Sequence, residues 1–241
     1  MTPEQLRTDD SAAFIGGALP AKARVLEVGC GRGAVARDLA ARGFDVTALD
    51  LTLRDLVAAP GVRFVEQDFR RFKHEAFDAV VFTASLHHIT PLGDAIARAA
   101  RLLEPGGHLV ADEVDVDAPD VATLHWYYET QELLVAAGLY PADRLDAPAP
   151  NLRRRWDHAH HHDEPLHTGA AMERTIASQF SIREIRRLPY LYRYIGAGLP
   201  QDDRGATIAA QVRLAEQRGI DAGVLRPVGL RIVARLARTL A

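Results

Sequence analysis

The chain has 241 residues, 48% of them apolar, a net charge of −3 and a single cysteine. Length and apolar share suit one α/β unit with an insertion and supply a sizeable core. One cysteine excludes an intramolecular disulfide and the absence of a run of about 18 apolar residues excludes a membrane-spanning helix; with an acidic, non-signal-like residues 1–20, the expectation is a soluble, cytoplasmic protein without a membrane partner.

Residues 2–20 read as a helical lead-in closed by Pro20. Val25, Leu26 and Val28 then make a buried strand that ends in Gly29-Cys30-Gly31-Arg32-Gly33, and from Ala34 the apolar spacing turns helical at Val35 and Leu39. The three glycines let the backbone turn sharply and let a ligand approach without Cβ atoms in the way. The helix behind them points its free N–H groups and positive dipole end at that ligand, so this is a nucleotide-type site. Gly29-x-Gly31-x-x-Ala34 also satisfies the dinucleotide fingerprint. Glu27 tips the balance: a carboxylate inside a strand is costly to bury without a donor, and it faces a ligand ammonium better than a pyrophosphate. An amino-acid-bearing nucleotide is therefore favoured. Cys30 reads as a small side chain at a crowded spot, without a redox duty.

Gly43 caps the first helix, and residues 44–49 form a second strand ending at Asp50, where a carboxylate on a rigid base can accept from both hydroxyls of a ribose. A short helix over 52–59 is stopped by Pro60-Gly61, and a third strand over 62–65 ends at Glu66-Gln67-Asp68-Phe69. The nearly continuous apolar run over 76–84 is expected of a parallel strand covered on both faces; it leads into Ser85-Leu86-His87-His88. A helix over 94–103 is broken by Glu104-Pro105-Gly106-Gly107 before a fifth strand over 108–114. Five strand–helix alternations predict a parallel, doubly wound sheet with its ligand at the carboxyl ends of the strands.

After residue 114 the alternation stops. Asp120 caps a helix over 121–137 that carries Trp126, Tyr127 and Tyr128, whose bland explanation is core packing; proline- and histidine-rich chain follows over 138–166, then a helix near 169–179. Residues 115–167 read as an insertion that lids the pocket of a single domain spanning 1–241. A strand over 180–188 and a helix over 203–219 follow, and 228–235 fits both strand alternation (Val228, Leu230, Ile232) and a helical face (Val228, Ile232, Leu236), with Gly229 and the β-branched residues favouring a strand. His158, His160, His161, His162, Asp163 and His167 are its densest chemical cluster. Consecutive histidines without an HExxH or cysteine partner suit a hydrogen-bonded, polar lid first, substrate-contacting histidines next and a bound metal last; if 115–167 closes over the pocket, the cluster gathers near the reacting end of the ligand. Residues 1–150 carry 14 Lys+Arg against 23 Asp+Glu, and 151–241 carry 15 against 9. An acidic binding half and scattered basic residues argue against nucleic acid. The oligomeric state stays open.

Taken in order, five blocks resemble the class I S-adenosylmethionine-dependent methyltransferases, and more closely the broad group of small-molecule methyltransferases often called type 11. They are Val-Leu-Glu-Val-Gly-Cys-Gly-Arg-Gly, Val-Thr-Ala-Leu-Asp50, Gln-Asp68-Phe69, Phe-Asp-Ala-Val-Val-Phe followed by Leu-His-His-Ile, and Leu-Leu-Glu-Pro-Gly-Gly-His-Leu, all within about residues 22–114. The resemblance implies a doubly wound, mostly parallel seven-stranded Rossmann-like sheet with an antiparallel last strand. It also implies S-adenosylmethionine as methyl donor, S-adenosylhomocysteine as product, and a small-molecule acceptor with an oxygen or nitrogen nucleophile. Residue by residue, the turn of Gly29, Cys30, Gly31 and Gly33 would pack against the cofactor, with Glu27 near its amino-acid end. Asp50 would take the ribose hydroxyls and Leu51 would cover the adenine. Asp68 and the backbone at Phe69 would meet the adenine edge, while Thr83, Ala84 and Ser85 would line the methionine side. A base is optional; for a hydroxyl acceptor a histidine can remove the proton, and His87, His88 and His161 are the candidates. Two alternatives stay open: an NAD(P)-dependent oxidoreductase, weakened because neither Lys22 nor Lys73 follows a tyrosine at Tyr-x-x-x-Lys spacing, and a catalytically silent binding protein of the same fold.

Overall fold

The computed structural model describes residues 1–237 except Asp55, Val57, Glu75 and 161–164. Strands β1 (Arg24–Val28), β2 (Asp45–Asp50), β3 (Val62–Glu66), β4 (Phe77–Thr83), β5 (Leu103–Val114), β6 (Phe180–Leu188) and β7 (Gly229–Leu236) form one sheet in the order β3-β2-β1-β4-β5-β7-β6. β1 to β5 pair in parallel and the last strands run antiparallel, as the Rossmann-like expectation has it. The helices are α1 (Pro3–Ala18), α2 (Ala34–Ala41), α3 (Leu92–Arg101), α4 (Val121–Ala136), α5 (Leu152–Ala159), α6 (Gly169–Ala177), α7 (Leu191–Gly198) and α8 (Asp203–Asp221). Strand order reverses between β1 and β4, the crevice where open α/β sheets bind ligands.

The chain divides into two compact units. One holds Thr8–Val114, His167–Arg186 and Leu230–Ala241, hence most of the sheet. Its two apolar faces explain the continuous hydrophobic run of β4: Val80 and Phe82 pack with Leu26, Val28, Leu109 and Ile96 on one side, while Ala79 and Val81 pack with Val25, Val46, Ile15 and Leu39 on the other. Two local expectations fail here. No helix forms among the described residues of 52–59; the backbone N–H groups of Thr52 and Leu53 donate instead to Asp50 (3.4 Å) and Glu66 (2.9 Å), and eight residues are too few to hold a helix without packing. Glu104 to Gly107 do not precede β5 but lie within it, because Leu103 pairs with Phe77 and the register then slips to His108 against Ala79, a bulge that Gly106 permits at φ +83.

The other unit holds Met1–Arg7, Asp115–Leu166 and Arg187–Gly229. Helix α4 starts where expected, with the Asp120 side chain accepting from the Thr123 N–H at 2.9 Å. Tyr127 and Tyr128 are buried, Tyr127 meets Trp156 edge-on at 5.8 Å, and Trp156 donates its indole N–H to the Val116 carbonyl at 2.8 Å, so these aromatics build the unit's core. Helices α5 and α7 escape a periodicity reading. The first is polar apart from Trp156, and the second, Leu-Tyr-Arg-Tyr-Ile-Gly-Ala-Gly, has weak helix formers. α7 is held by a distant residue: Glu216 of α8, 1% exposed, accepts from the N–H groups of Tyr190, Leu191 and Tyr192 at 2.7, 3.0 and 2.9 Å. Glu216→Ala strands these three donors and is expected to lower stability by about 2–4 kcal/mol in chemical denaturation; a loss under about 0.5 kcal/mol, the level of an inert surface change, would rule this role out. Among the described residues no helix is long and apolar enough to cross a membrane.

Candidate active site

The carboxyl end of β1 is organised by backbone. Gly29 and Cys30 donate to the Leu49 carbonyl at 2.8 and 3.1 Å, Gly31 donates to Asp50 Oδ2 at 2.7 Å, and Gly33 donates to the Cys30 carbonyl at 2.8 Å. The end of β2 thus shapes the turn after β1. Gly29, Gly31 and Gly33 have φ of +74, +53 and +73, the left-handed region that other residues avoid. A Cβ on Gly29 would lie 2.4 Å from the Ser85 Cβ, and one on Gly33 2.5 Å from Phe64, whereas one on Gly31 would meet nothing within 4 Å. Two glycines are demanded by packing; the middle one leaves bare backbone facing open space, as a ligand cradle requires.

Beneath this turn Glu27 is 2% exposed, and its Oε2 has no hydrogen-bond partner among the described residues. Burial pushes its carboxyl up to about 8, opposed by the Ala36 N–H, raised further by Asp50 and lowered by Arg37. A buried acceptor without a donor is unstable unless something cationic or hydrogen-bonding arrives. Cys30 is also buried and its thiol is pushed up to about 12, so it is an inert small side chain.

The end of β4 meets the same turn. Thr83 Oγ1 is buried without a partner among the described residues, and Ala84, exposed, sits at φ +50. Ser85 donates its hydroxyl to the Val28 carbonyl at 2.6 Å. Glu113 of β5, fully buried, accepts at Oε1 from the N–H groups of Ser85 (3.0 Å) and Leu86 (2.8 Å), and its Oε2 lies 2.6 Å from His87 Nδ1. The sequence reading passed over Glu113; the signal that could have found it is an acid pair, Asp112-Glu113, inside an apolar strand, the same oddity that singled out Glu27.

The model for a methyltransferase domain matches residues 4–175, most of the chain. The chain belongs to this family, the class I S-adenosylmethionine-dependent methyltransferases. Among curated relatives, a ubiquinone biosynthesis O-methyltransferase of Alkalilimnicola ehrlichii is 35% identical over 116 residues, 44% of this chain and 46% of that protein. An uncharacterized methyltransferase of Mycobacterium tuberculosis is 32% identical over 143 residues, 56% and 66% of the two chains. The matched stretch thus spans about half to two thirds of the length of such relatives. Among solved structures, an S-adenosylmethionine-dependent methyltransferase from Mesorhizobium loti superposes with a TM-score of 0.56 at 17% identity, over 95% of this chain and 99% of that one. A 1,6-didemethyltoxoflavin-N1-methyltransferase from Burkholderia thailandensis gives 0.54 at 21%, over 95% and 78%. At such identities these structures establish the fold.

The methyltransferase brings most of the expected cofactor residues together. Glu27, the glycine turn, Asp50 and residues 83–85 converge on the carboxyl ends of β1, β2 and β4, and the orphan Glu27 oxygen with the open Gly31 face fits a ligand bearing an ammonium. Leu51 is 67% exposed, an apolar side chain beside Asp50 that a flat ring could cover. Asp68 is already engaged: the Arg70 guanidinium donates to both of its oxygens (2.7–3.1 Å) and holds its carboxyl below the usual range. The Phe69 ring packs edge-on against Phe82 in the core at 5.7 Å, which leaves only its backbone for a ligand. His88 is exposed and its ring lies 4.1 Å from that of buried His87. The histidine cluster is shared between the two units. His160 stacks on Trp156 at 3.8 Å in the helical unit, whereas His167 belongs to the sheet unit, where its N–H donates to the His87 carbonyl at 2.9 Å and its Nε2 lies 3.1 Å from the Ile89 carbonyl. His161, proposed as catalytic, lies outside the described residues, as do His162 and Asp163.

Proposed function

We propose that this methyltransferase moves a methyl group to the oxygen or nitrogen of a small-molecule acceptor. The observation that carries the reading is the buried Glu27 Oε2 without a donor below an open glycine turn, a place built for a nucleotide with an ammonium rather than a pyrophosphate. The relatives include a ubiquinone biosynthesis O-methyltransferase and, from Renibacterium salmoninarum, a demethylmenaquinone methyltransferase, names that support a small acceptor. S-adenosylmethionine supplies an electrophilic methyl on sulfur. In this reading Glu27 receives its ammonium, the 29–33 backbone lies against it, Asp50 accepts from the ribose hydroxyls, Leu51 and the Phe69 backbone bound the adenine, and Thr83 to Ser85 line the methionine side. The chain then needs only to hold the acceptor in line and exclude water.

Calorimetry with S-adenosylhomocysteine is expected to show one site per chain; no binding by the folded protein would end this reading. Asp50→Ala is expected to weaken that binding by more than about 1 kcal/mol, because it removes both the ribose acceptor and the carboxylate that holds the Gly31 N–H at 2.7 Å. Asp50→Asn, which keeps an oxygen for Gly31, is expected to fall between the two.

A further inference from the structure

We propose that His87 and Glu113 form a proton-accepting pair, His87 taking the proton of the acceptor and Glu113 positioning it, so that the acceptor is a hydroxyl rather than an amine. This rests on the methyltransferase reading above.

The division of labour between the two oxygens of Glu113 is the starting point. Oε1 alone satisfies the two N–H groups of the turn, Ser85 at 3.0 Å and Leu86 at 2.8 Å. A purely structural cap needs nothing more. Oε2 is given to an imidazole, His87 Nδ1, at 2.6 Å. A carboxyl is ordinarily a stronger acid than an imidazolium, so in this proposal the shared hydrogen is on Nδ1 and the lone pair of the neutral ring is left at Nε2. Nε2 makes no hydrogen bond among the described residues, and the side chain, 6% exposed, is not sealed. The ring is held by the carboxylate from β5 and by the His88 ring at 4.1 Å, while the His167 N–H fixes the His87 backbone carbonyl at 2.9 Å. The His167 imidazole is itself committed to Ile89 and Thr90. Ser85, two residues before His87, is the residue that a Cβ on Gly29 would strike, so the pair stands beside the glycine turn within the same unit.

This is the arrangement of a general base: an imidazole fixed in one tautomer by a buried carboxylate that also stabilises the cation it becomes. An amine acceptor has only to arrive neutral and would make no use of it. For a hydroxyl the step balances. The acceptor oxygen forms a bond to the methyl carbon as the carbon–sulfur pair returns to sulfur, the hydroxyl proton passes to His87 Nε2, and the imidazolium later releases it to water.

Nitrogen-15 NMR of the folded protein reads the tautomer with or without an acceptor. Hydrogen on Nδ1 is expected in the free protein and in the S-adenosylhomocysteine complex; hydrogen on Nε2 overturns the proposal. In Glu113→Gln the side-chain oxygen can still accept from Ser85 and Leu86, but its NH2 must donate to Nδ1, which moves the ring hydrogen to Nε2. That variant is expected to keep S-adenosylhomocysteine affinity within about threefold while methylation of hydroxyl compounds falls about a hundredfold or more and recovers as pH rises and the hydroxyl ionises unaided. His87→Asn, which leaves the Glu113 cap on the turn, is expected to show the same loss. Matched hydroxyl- and amine-bearing compounds with methyl-labelled S-adenosylmethionine complete the test. Turnover of amines alone, or an unimpaired His87→Asn, overturns the pair while leaving the methyltransferase reading standing. Failure of the wild type to bind S-adenosylhomocysteine overturns that reading and the proposal with it.

Discussion

Gly29→Ala is expected to destabilise the methyltransferase by about 2–5 kcal/mol and to remove measurable S-adenosylhomocysteine binding. Two costs add. An L side chain at φ +74 is strained by about 1–2 kcal/mol, and the new methyl would lie 2.4 Å from the Ser85 Cβ, a clash that forces one of two strand-end turns to move at about 1–3 kcal/mol. Neither turn moves freely: Gly29 is tied to Leu49, and Ser85 to Val28 and Glu113. Ser85→Gly in the same chain separates the terms, because it removes the clash but not the strain, and part of the stability is expected to return. Gly31→Ala is the contrast, strained at φ +53 but unopposed by any atom within 4 Å, so it is expected to lose stability modestly while still losing ligand affinity. Equal destabilisation at the two positions, read by urea denaturation, would show that packing against Ser85 is not what makes Gly29 necessary.

Glu27→Gln is expected to act with opposite signs on stability and on binding. Burial raises the Glu27 carboxyl from 4.5 to about 8, so between these values the folded protein keeps a proton that the unfolded chain has released. Stability therefore falls as pH rises through that window, and Gln, which cannot ionise, is expected to make the protein more stable than wild type at pH 8 and little different near pH 4. Binding runs the other way. An arriving ammonium favours the carboxylate, so at pH 7 the wild type is expected to release up to one proton per site on taking S-adenosylhomocysteine, a release that fades above about pH 8. The variant should release none and bind more weakly by about 2 kcal/mol, roughly thirtyfold, at pH 8. Calorimetry in two buffers of different ionisation heat reads the proton directly. A wild type that binds at pH 7 without releasing one would remove Glu27 from the ammonium's side.

What was legible in the sequence was local. The three glycines after Val28, the acids at strand ends and the two-face apolar run of 76–84 each follow from neighbours within a few residues, and they located β1, β2 and β4, the glycine turn and the family. Expectations failed where a distant partner sets the outcome: the start of β5 is decided by Phe77 across the sheet, α7 by Glu216, and the chain over 52–59 by carboxylates at Asp50 and Glu66. The site divides the same way. By itself the sequence determined that an acid lies inside the first strand and that histidines leave the fourth, because composition within a strand betrays a cost that something must offset. Only the tertiary structure decided that Glu27 keeps a bare oxygen while Glu113 gives one of its own to the turn after β4 and the other to the His87 imidazole. It also decided that His87 receives a carboxylate, and that His160 and His167, seven residues apart, belong to different units. The reason is geometric: strand order places the ends of β1 and β4 side by side, and hydrogen-bond partners more than 25 residues apart in the chain, such as Leu86 and Glu113, are chosen by that placement and leave no periodic trace in the sequence.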